Sequence, residues 1–403
     1  MNKRNCLKLP SYYGIFIVLA LLPQIFGING SIIEDGFKVF LIAVLLLKTL
    51  HFDRSLSYFT QLYMAGIIAS SMLTVLFDVS FGLADFFKCG LSIMILLLFV
   101  APITWDDSIS KHDILNFYKI YAYFMIAAAI YNMVIHYSSL LRITSLSVYS
   151  AEEICSFFDN KNTFGVFLIF GVLSSATLKI MTNQKKWHFF SIIFLLNEVM
   201  AMCRTAVVIS FMIILFSFYF NSKNNAVKNI LSLLLIMSII VLLLSNQSIN
   251  RFIFDNMFSS TDSLDTRNSY AENLLPLLKN KHLFFGYGNK TALELASVYT
   301  GNRYYHNGFL KSLMIGGIFN LSLQIWAILM SFYYGFKNFK IDKQIGSICL
   351  ISSVTYIIYN FVESVVLFDT PVVAIISVLF VITMPIMFNN VIKTEKRMKC
   401  CDL

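Results

Sequence analysis

Apolar runs of membrane-crossing length, repeated along the whole chain, limit this sequence to an all-α, polytopic integral membrane protein. Bounded by charge or by Gly, Pro and Asn clusters, they fall at about 11–29, 33–50, 58–77, 84–103, 114–135, 162–181, 187–203, 204–220, 230–246, 308–333, 345–367 and 370–390. A spanning helix needs about 20 such residues, so about twelve spans use most of the 403 residues and leave room for one large loop. Composition excludes the alternatives. With 58% hydrophobic and 13% charged residues a soluble globule is ruled out, and aromatic residues spread throughout rule out a single anchor on a soluble domain. The seven Cys have no metal-type spacing and an odd count, which argues against a disulfide framework or a zinc site.

The net charge of +9 is read through its location. The first run follows Lys3, Arg4 and Lys8, is too long for a signal peptide and lacks a small-x-small cleavage site, so it reads as an uncleaved anchor. With that end inside, most Lys and Arg fall on inward ends and loops, and both termini are expected in the cytoplasm. Arg251, Arg267, Lys279, Lys281, Lys290 and Arg303 lie outside, in a loop of about 247–308 between spans nine and ten. Long loops weigh least in the orientation rule. This charge pattern calls for a membrane lipid environment and for no nucleic acid. The chain reads as a single transmembrane domain, 1–403, with one large extracytoplasmic loop at 247–308.

Within that loop, YAENLLPLLKNK (270–281) spaces Leu274, Leu275, Leu277 and Leu278 for an amphipathic helix against the membrane surface, interrupted by Pro276. FFGYGN (284–289) lacks the Lys-Ser or Lys-Thr of a nucleotide loop and reads as a turn.

Arg204, in MAMCRTAVVIS, is the least expected residue, because an arginine between two apolar runs is costly unless it faces a water-filled cavity or a partner such as Glu198. The plainer reading is a tight outward turn whose arginine snorkels to the interface. Arg267 alone reads as a solvated partner of Asp262 or Asp265. Together with Arg204 and Arg303 it suggests more, since convergent guanidiniums hold a pyrophosphate bidentately. His306, in YYHNGFLKSL, stands where the loop enters the tenth span and is the natural general base near neutral pH; its plainer reading is an aromatic-belt residue among Tyr304 and Tyr305. In FDNKNTFG, Asn160, Lys161 and Asn162 offer donors beside Gly165, although Asn is also an ordinary helix cap. Glu363, in YNFVESVV late in the eleventh run, either balances an arginine or binds a sugar hydroxyl. No metal-binding motif appears, so no catalytic metal is expected.

In their order, CRTAVV (203–208), TRNSYAENLLPLLKNKHLFFGYGN (266–289) and HNGFLKSLMIGGIFNL (306–321) resemble the elements of the O-antigen polymerase and O-antigen ligase superfamily of bacterial envelope polysaccharide assembly. The resemblance runs over roughly the C-terminal 240 residues. It implies a metal-independent, inverting glycosyltransferase in the bacterial inner membrane, with a periplasmic active site, no cofactor and an undecaprenyl-diphosphate-linked glycan as donor. It assigns Arg204 and Arg267 to the diphosphate and His306 to the acceptor hydroxyl. Asn307 belongs to the His-Asn element, whereas Arg303 has no counterpart. The NKN-Gly element at 160–165 and the compact loop favour polymerase over ligase. A polysaccharide chain-length regulator is then an expected partner. The rival class, a lipid-linked oligosaccharide transporter, calls for paired mid-membrane charges or internal repeats; the unusual charges here gather on one face and no repeat is visible.

Overall fold

The computed structural model describes residues 8–28, 32–49, 56–77, 83–101, 109–141, 151, 153–221, 270–301 and 305–401. Among these residues every regular element is helical. In the first part of the chain these are α1 Leu9–Ala20, α2 Leu22–Ile25, α3 Ile32–Thr49, α4 Tyr58–Phe77, α5 Leu83–Phe99, α6 Lys111–Ile135, α7 Tyr137–Leu141, α8 Lys161–Thr182, α9 Lys186–Met200 and α10 Arg204–Asn221. After the undescribed stretch come α11 Lys281–Phe285, α12 Asn289–Thr300, α13 Gly308–Phe339, α14 Lys343–Val362, α15 Val372–Val378 and α16 Met384–Cys401, the last two joined by a π turn, Leu379–Thr383.

Among the described residues, five helices are long and apolar enough to cross a membrane: Lys111–Ile135, Lys161–Thr182, Gly308–Phe339, Lys343–Phe361 and Val372–Thr394. Shorter apolar helices cover Leu9–Ile25, Phe87–Phe99 and Arg204–Ser217. The ninth expected run, 230–246, lies outside the described residues. Three expected runs are not continuous helices, the tenth being broken at Gly316 and Gly317. The first breaks at Leu21 and restarts with Pro23 in the opening turn of α2, a position where its missing N–H costs nothing. The eleventh stops at Val362, and Glu363 is extended at φ −137°, ψ 155°.

The chain forms two compact units. One comprises 17–34 and 115–262 and is centred on α8, which is buried along nearly its whole length. A helix apolar on all faces needs neighbours on all faces. Among its neighbours, α9 brings the Phe194 ring against Gly171, and Tyr121 of α6 donates its hydroxyl to the Phe167 carbonyl at 3.0 Å. Asn132 of α6 donates to Asn197 Oδ1 of α9 at 2.9 Å and accepts from the Ser156 N–H at 2.9 Å. Where lipid offers no hydrogen bonds, side-chain pairs of this kind join helices.

The other unit comprises 1–16, 35–114 and 263–403 and is organised by the antiparallel pair α13 and α14. Asp342 caps α14 by accepting from the N–H groups of Gln344 and Ile345. Helix α13 is broken inside its apolar run, at Gly316 (φ −134°, ψ 20°) and Gly317 (φ 65°, ψ −162°). The break exposes the Met314 and Ile315 carbonyls, which accept from the Tyr287 N–H at 2.8 Å and the Gly288 N–H at 2.9 Å. The FFGYGN segment is indeed a turn, and its backbone docks onto the broken helix. A Cβ at Gly317 would lie 2.2 Å from the Phe284 backbone, and its φ favours glycine. Gly317→Ala is therefore expected to cost more than about 2 kcal/mol, read as a lowered unfolding temperature of the purified protein.

The amphipathic segment differs from expectation. Residues 270–274 are helical, and Leu275–Leu277 form a 3-10 turn at Pro276. Leu274 and Leu278 are buried in a small protein core with Ala292, Ala296, Tyr305, Leu310 and Met314, while Leu275 is exposed. The apolar face thus has a protein partner, supplied by α12 and the start of α13.

Candidate functional site

The His306 turn is built from both flanks. Before it, Tyr305 is buried and donates its hydroxyl to the Ala292 carbonyl, fixing the chain on the small core. After it, Asn307 caps α13 by accepting from the Leu310 N–H at 2.9 Å. Between these anchors His306 takes φ 49°, a left-handed conformation uncommon for a residue with a Cβ. The side chain of Asn360, from α14, fills the space where a Cβ on Gly308 would sit. His, Asn and Gly in the motif are thus an imidazole in a constrained turn, a cap and a point of close approach.

The imidazole faces Glu363, with His306 Nδ1 3.9 Å from Glu363 Oε2 and the side chains 25% and 17% exposed. Nδ1 is buried and makes no hydrogen bond among the described residues, and the exposed part of the ring lies away from it. The Tyr270 ring is 5.6 Å away. Glu363 is not on a helix face, as the sequence suggests, but in the non-helical segment 363–371. That segment is held by Gln324, whose amide donates to the Leu367 carbonyl at 3.1 Å and accepts from the Leu367 N–H at 3.0 Å. Non-helical backbone among apolar helices is tolerated where protein satisfies and buries it, and Val365–Phe368 are buried.

Lys311, one turn into α13, pairs with Asp369 at 2.9 Å, both side chains being mostly buried. Burial pushes the Asp369 carboxyl up, but Lys311 and Lys88, with hydrogen bonds from Lys311 and the Thr370 N–H, outweigh it and hold the group at about 2. Sequence reasoning missed Lys88, Lys311, Asn360 and Asp369 as a set. The available signal was Lys311, a lysine one turn inside an apolar run, which requires a counter-charge. Asp369→Ala, which leaves that ammonium unpaired, is expected to cost about 3 kcal/mol, whereas Lys311→Met with Asp369→Leu recovers most of the loss. Thermal unfolding of the two variants beside wild type measures the difference.

In the other unit, α9 and α10 are joined by Ala201, Met202 and Cys203, with Met202 at φ 53°. Arg204 is the first residue of α10 and is half-buried, so the tight turn expected at this point is present. Glu198 is buried and accepts from Ser210 Oγ at 2.6 Å. Cys203 donates its thiol to the Lys161 carbonyl at 2.9 Å, and Gly165 lets α8 approach Cys203 and Ala206 closely. The NKN-Gly and CRTA elements are therefore neighbours. Asn160 caps α8 by accepting from the Thr163 N–H at 2.8 Å, Lys161 is buried and Asn162 follows in the first turn. Arg267 and Arg303 lie outside the described residues. Among the described residues no group of three His, Cys, Asp or Glu could hold a metal ion.

Comparison with protein-family models decides what these elements resemble. Residues 189–325 match the O-antigen ligase family. The match supports the O-antigen polymerase and ligase superfamily, and it contains the CRTAVV, 266–289 and HNG elements. The O-antigen ligase match covers about a third of the chain and leaves the NKN-Gly element and Glu363 outside it. A search of the curated proteins found no match to the chain.

Proposed function

We propose that this chain is a surface-polysaccharide polymerase of the O-antigen type, a glycosyltransferase joining undecaprenyl-diphosphate-linked repeat units at the periplasmic face of the inner membrane. The glycosyltransferase part of the reading is carried by the family match over a segment containing all three motif elements in order, and the choice of polymerase by the NKN-Gly element and the compact loop. In the reaction the acceptor hydroxyl oxygen forms a bond to the donor's anomeric carbon, the bond from that carbon to the diphosphate breaks with inversion, and the hydroxyl proton passes to His306. Arg204 and Arg267 stabilise the charge that grows on the departing diphosphate, where guanidiniums lower the barrier most. No metal takes part in these steps.

Glu363 is assigned here to the imidazole rather than to a sugar hydroxyl. A carboxylate 3.9 Å from a buried Nδ1 that has no hydrogen-bond partner among the described residues can close on it, fix the tautomer and stabilise the protonated ring. Asn307 and Asn160 support their turns through the caps described above; Lys161, Asn162 and Arg303 are assigned to the glycan. A periplasmic site is supported by the charge rule, which puts the end of α4, the start of α5, the start of α13 and segment 363–371 on the outward side. A chain-length regulator remains the partner a polymerase calls for.

Ligation to lipopolysaccharide core is the second reading, favoured by the description of the matched family. A lipopolysaccharide gel of a deletion strain separates the two. Core bearing a single repeat unit means polymerase; core with none, beside accumulated lipid-linked polymer, means ligase. An unaltered ladder contradicts both and returns the transporter reading.

A further inference from the structure

In the unit that holds His306, a cavity of about 140 Å³ lies between α4, α5, the break in α13, the start of α12 and segment 363–371. Of its lining residues, Gly288, Asn289, Ile315, Gly316 and Asn320 fall within the motif segments, and none of them carries a chemical role there. Its size is that of a single six-membered ring, since an engineered apolar cavity of about 150 Å³ takes benzene. Its chemistry is not that of a benzene site. Asp369 supplies an acceptor and Lys88 a donor, and Ser71, Ser92, Asn289 and Asn320 can act as either. The apolar part of the wall includes Phe368, packed on Tyr63 with ring centroids 4.8 Å apart.

This lining discriminates between ligands. A phosphate or carboxylate would meet the Asp369 carboxylate, which stays ionised beside its two lysines. A hydrocarbon chain would leave an ion pair and several amides and hydroxyls desolvated without return. A neutral sugar ring satisfies both parts, because its hydroxyls donate to Asp369 and accept from Lys88 while its C–H face lies on the aromatic wall. The walls are also fixed in advance: Gln324 clamps Leu367, Lys311 holds Asp369, and the Tyr287–Gly288 backbone is bonded to the broken helix. Rigid walls cut the ordering cost of binding.

We propose that this cavity is a subsite for one neutral sugar ring of the lipid-linked glycan, formed by Lys88, Asp369, Ser71 and Asn320 at the break in α13. The proposal rests on the glycosyltransferase reading above. It adds that part of the substrate's recognition lies beyond Arg204, Arg267 and His306, around the break in α13.

The test uses the full chain in lipid nanodiscs, the lipid-linked glycan extracted from the producing strain, and sugar-free undecaprenyl diphosphate as a competitor. Asp369→Asn removes the charged acceptor, and Ser71→Leu fills the cavity without touching the ion pair. Each is expected to raise KM for the glycan donor at least tenfold, while the inhibition constant of undecaprenyl diphosphate stays within twofold of wild type. Wild-type KM in Ser71→Leu overturns the proposal. Equal weakening of donor and sugar-free lipid also overturns it, assigning the cavity to the diphosphate or the lipid. A wild-type protein that turns over no donor contradicts the transferase reading itself, and with it this subsite.

Discussion

Replacing His306 by Ala is expected to lower polymer formation by about 10²–10⁴-fold, the range a positioned general base supplies. Protein abundance in the membrane should not change. The effect is predicted to be chemical because the turn is held by its neighbours. Tyr305 is anchored to the Ala292 carbonyl, Asn307 caps α13, and neither bond uses the imidazole. Among the described residues Nδ1 makes no hydrogen bond, so removing the ring breaks none at that atom, and the Glu363 carboxylate lies 3.9 Å away. Polymer measured on a gel, with the His306→Ala protein quantified from the same membranes, separates loss of chemistry from loss of fold. Full activity in that variant would remove His306 from the proton-transfer role.

The second large effect is expected at Arg204. Arg204→Ala and Arg204→Lys should both lose about 10²–10³-fold, the cost of removing a group that stabilises charge in the transition state. Failure of lysine is the informative part, since an ammonium keeps the charge and loses the planar fork that matches a diphosphate. Near-normal activity in Arg204→Lys would instead make the residue a marker of the α9–α10 turn. That turn is present, and it is tight: three residues, one of them in the left-handed region, with the Cys203 thiol bonded to the Lys161 carbonyl. Arg267→Ala is expected to match Arg204→Ala.

The helices were legible because each apolar run carries its own signal, and the turn at FFGYGN was legible because glycines paired with an aromatic spacer do not continue a helix. The break in α13 was not. Gly316 and Gly317 sit within a run apolar enough to span, and what opens the helix there is tertiary: two backbone N–H groups from residues almost thirty positions earlier, bonded to its freed carbonyls. The end of α14 was missed for a similar reason. Hydropathy continues through VESVVLF, but Gln324 from another helix takes both backbone groups of Leu367 and holds the chain extended. That difference moves Glu363 from a helix face to the imidazole.

Local pattern also pointed the leucines of 270–281 at the membrane surface. A spacing that makes one face apolar does not state what covers it, and α12 and α13 supply a protein core for Leu274 and Leu278. For the proposed roles, motif order points to single residues, His306 and Arg204, and says nothing of what surrounds each. Lys311 and Asp369 are 58 positions apart and become a pair only through the fold.

The proposed reaction transfers a glycan from a polyprenyl diphosphate without a metal. Lipid-linked repeat units from the producing strain, added to the purified chain in nanodiscs with a chelator, give the measurement. Undecaprenyl diphosphate is expected to be released as longer lipid-linked glycan appears, one molecule for each bond formed, and His306→Ala is expected to suppress both. Lipid-linked repeat units that remain intact with the wild-type chain, or that are consumed only when a divalent metal is restored, would contradict the proposed reaction.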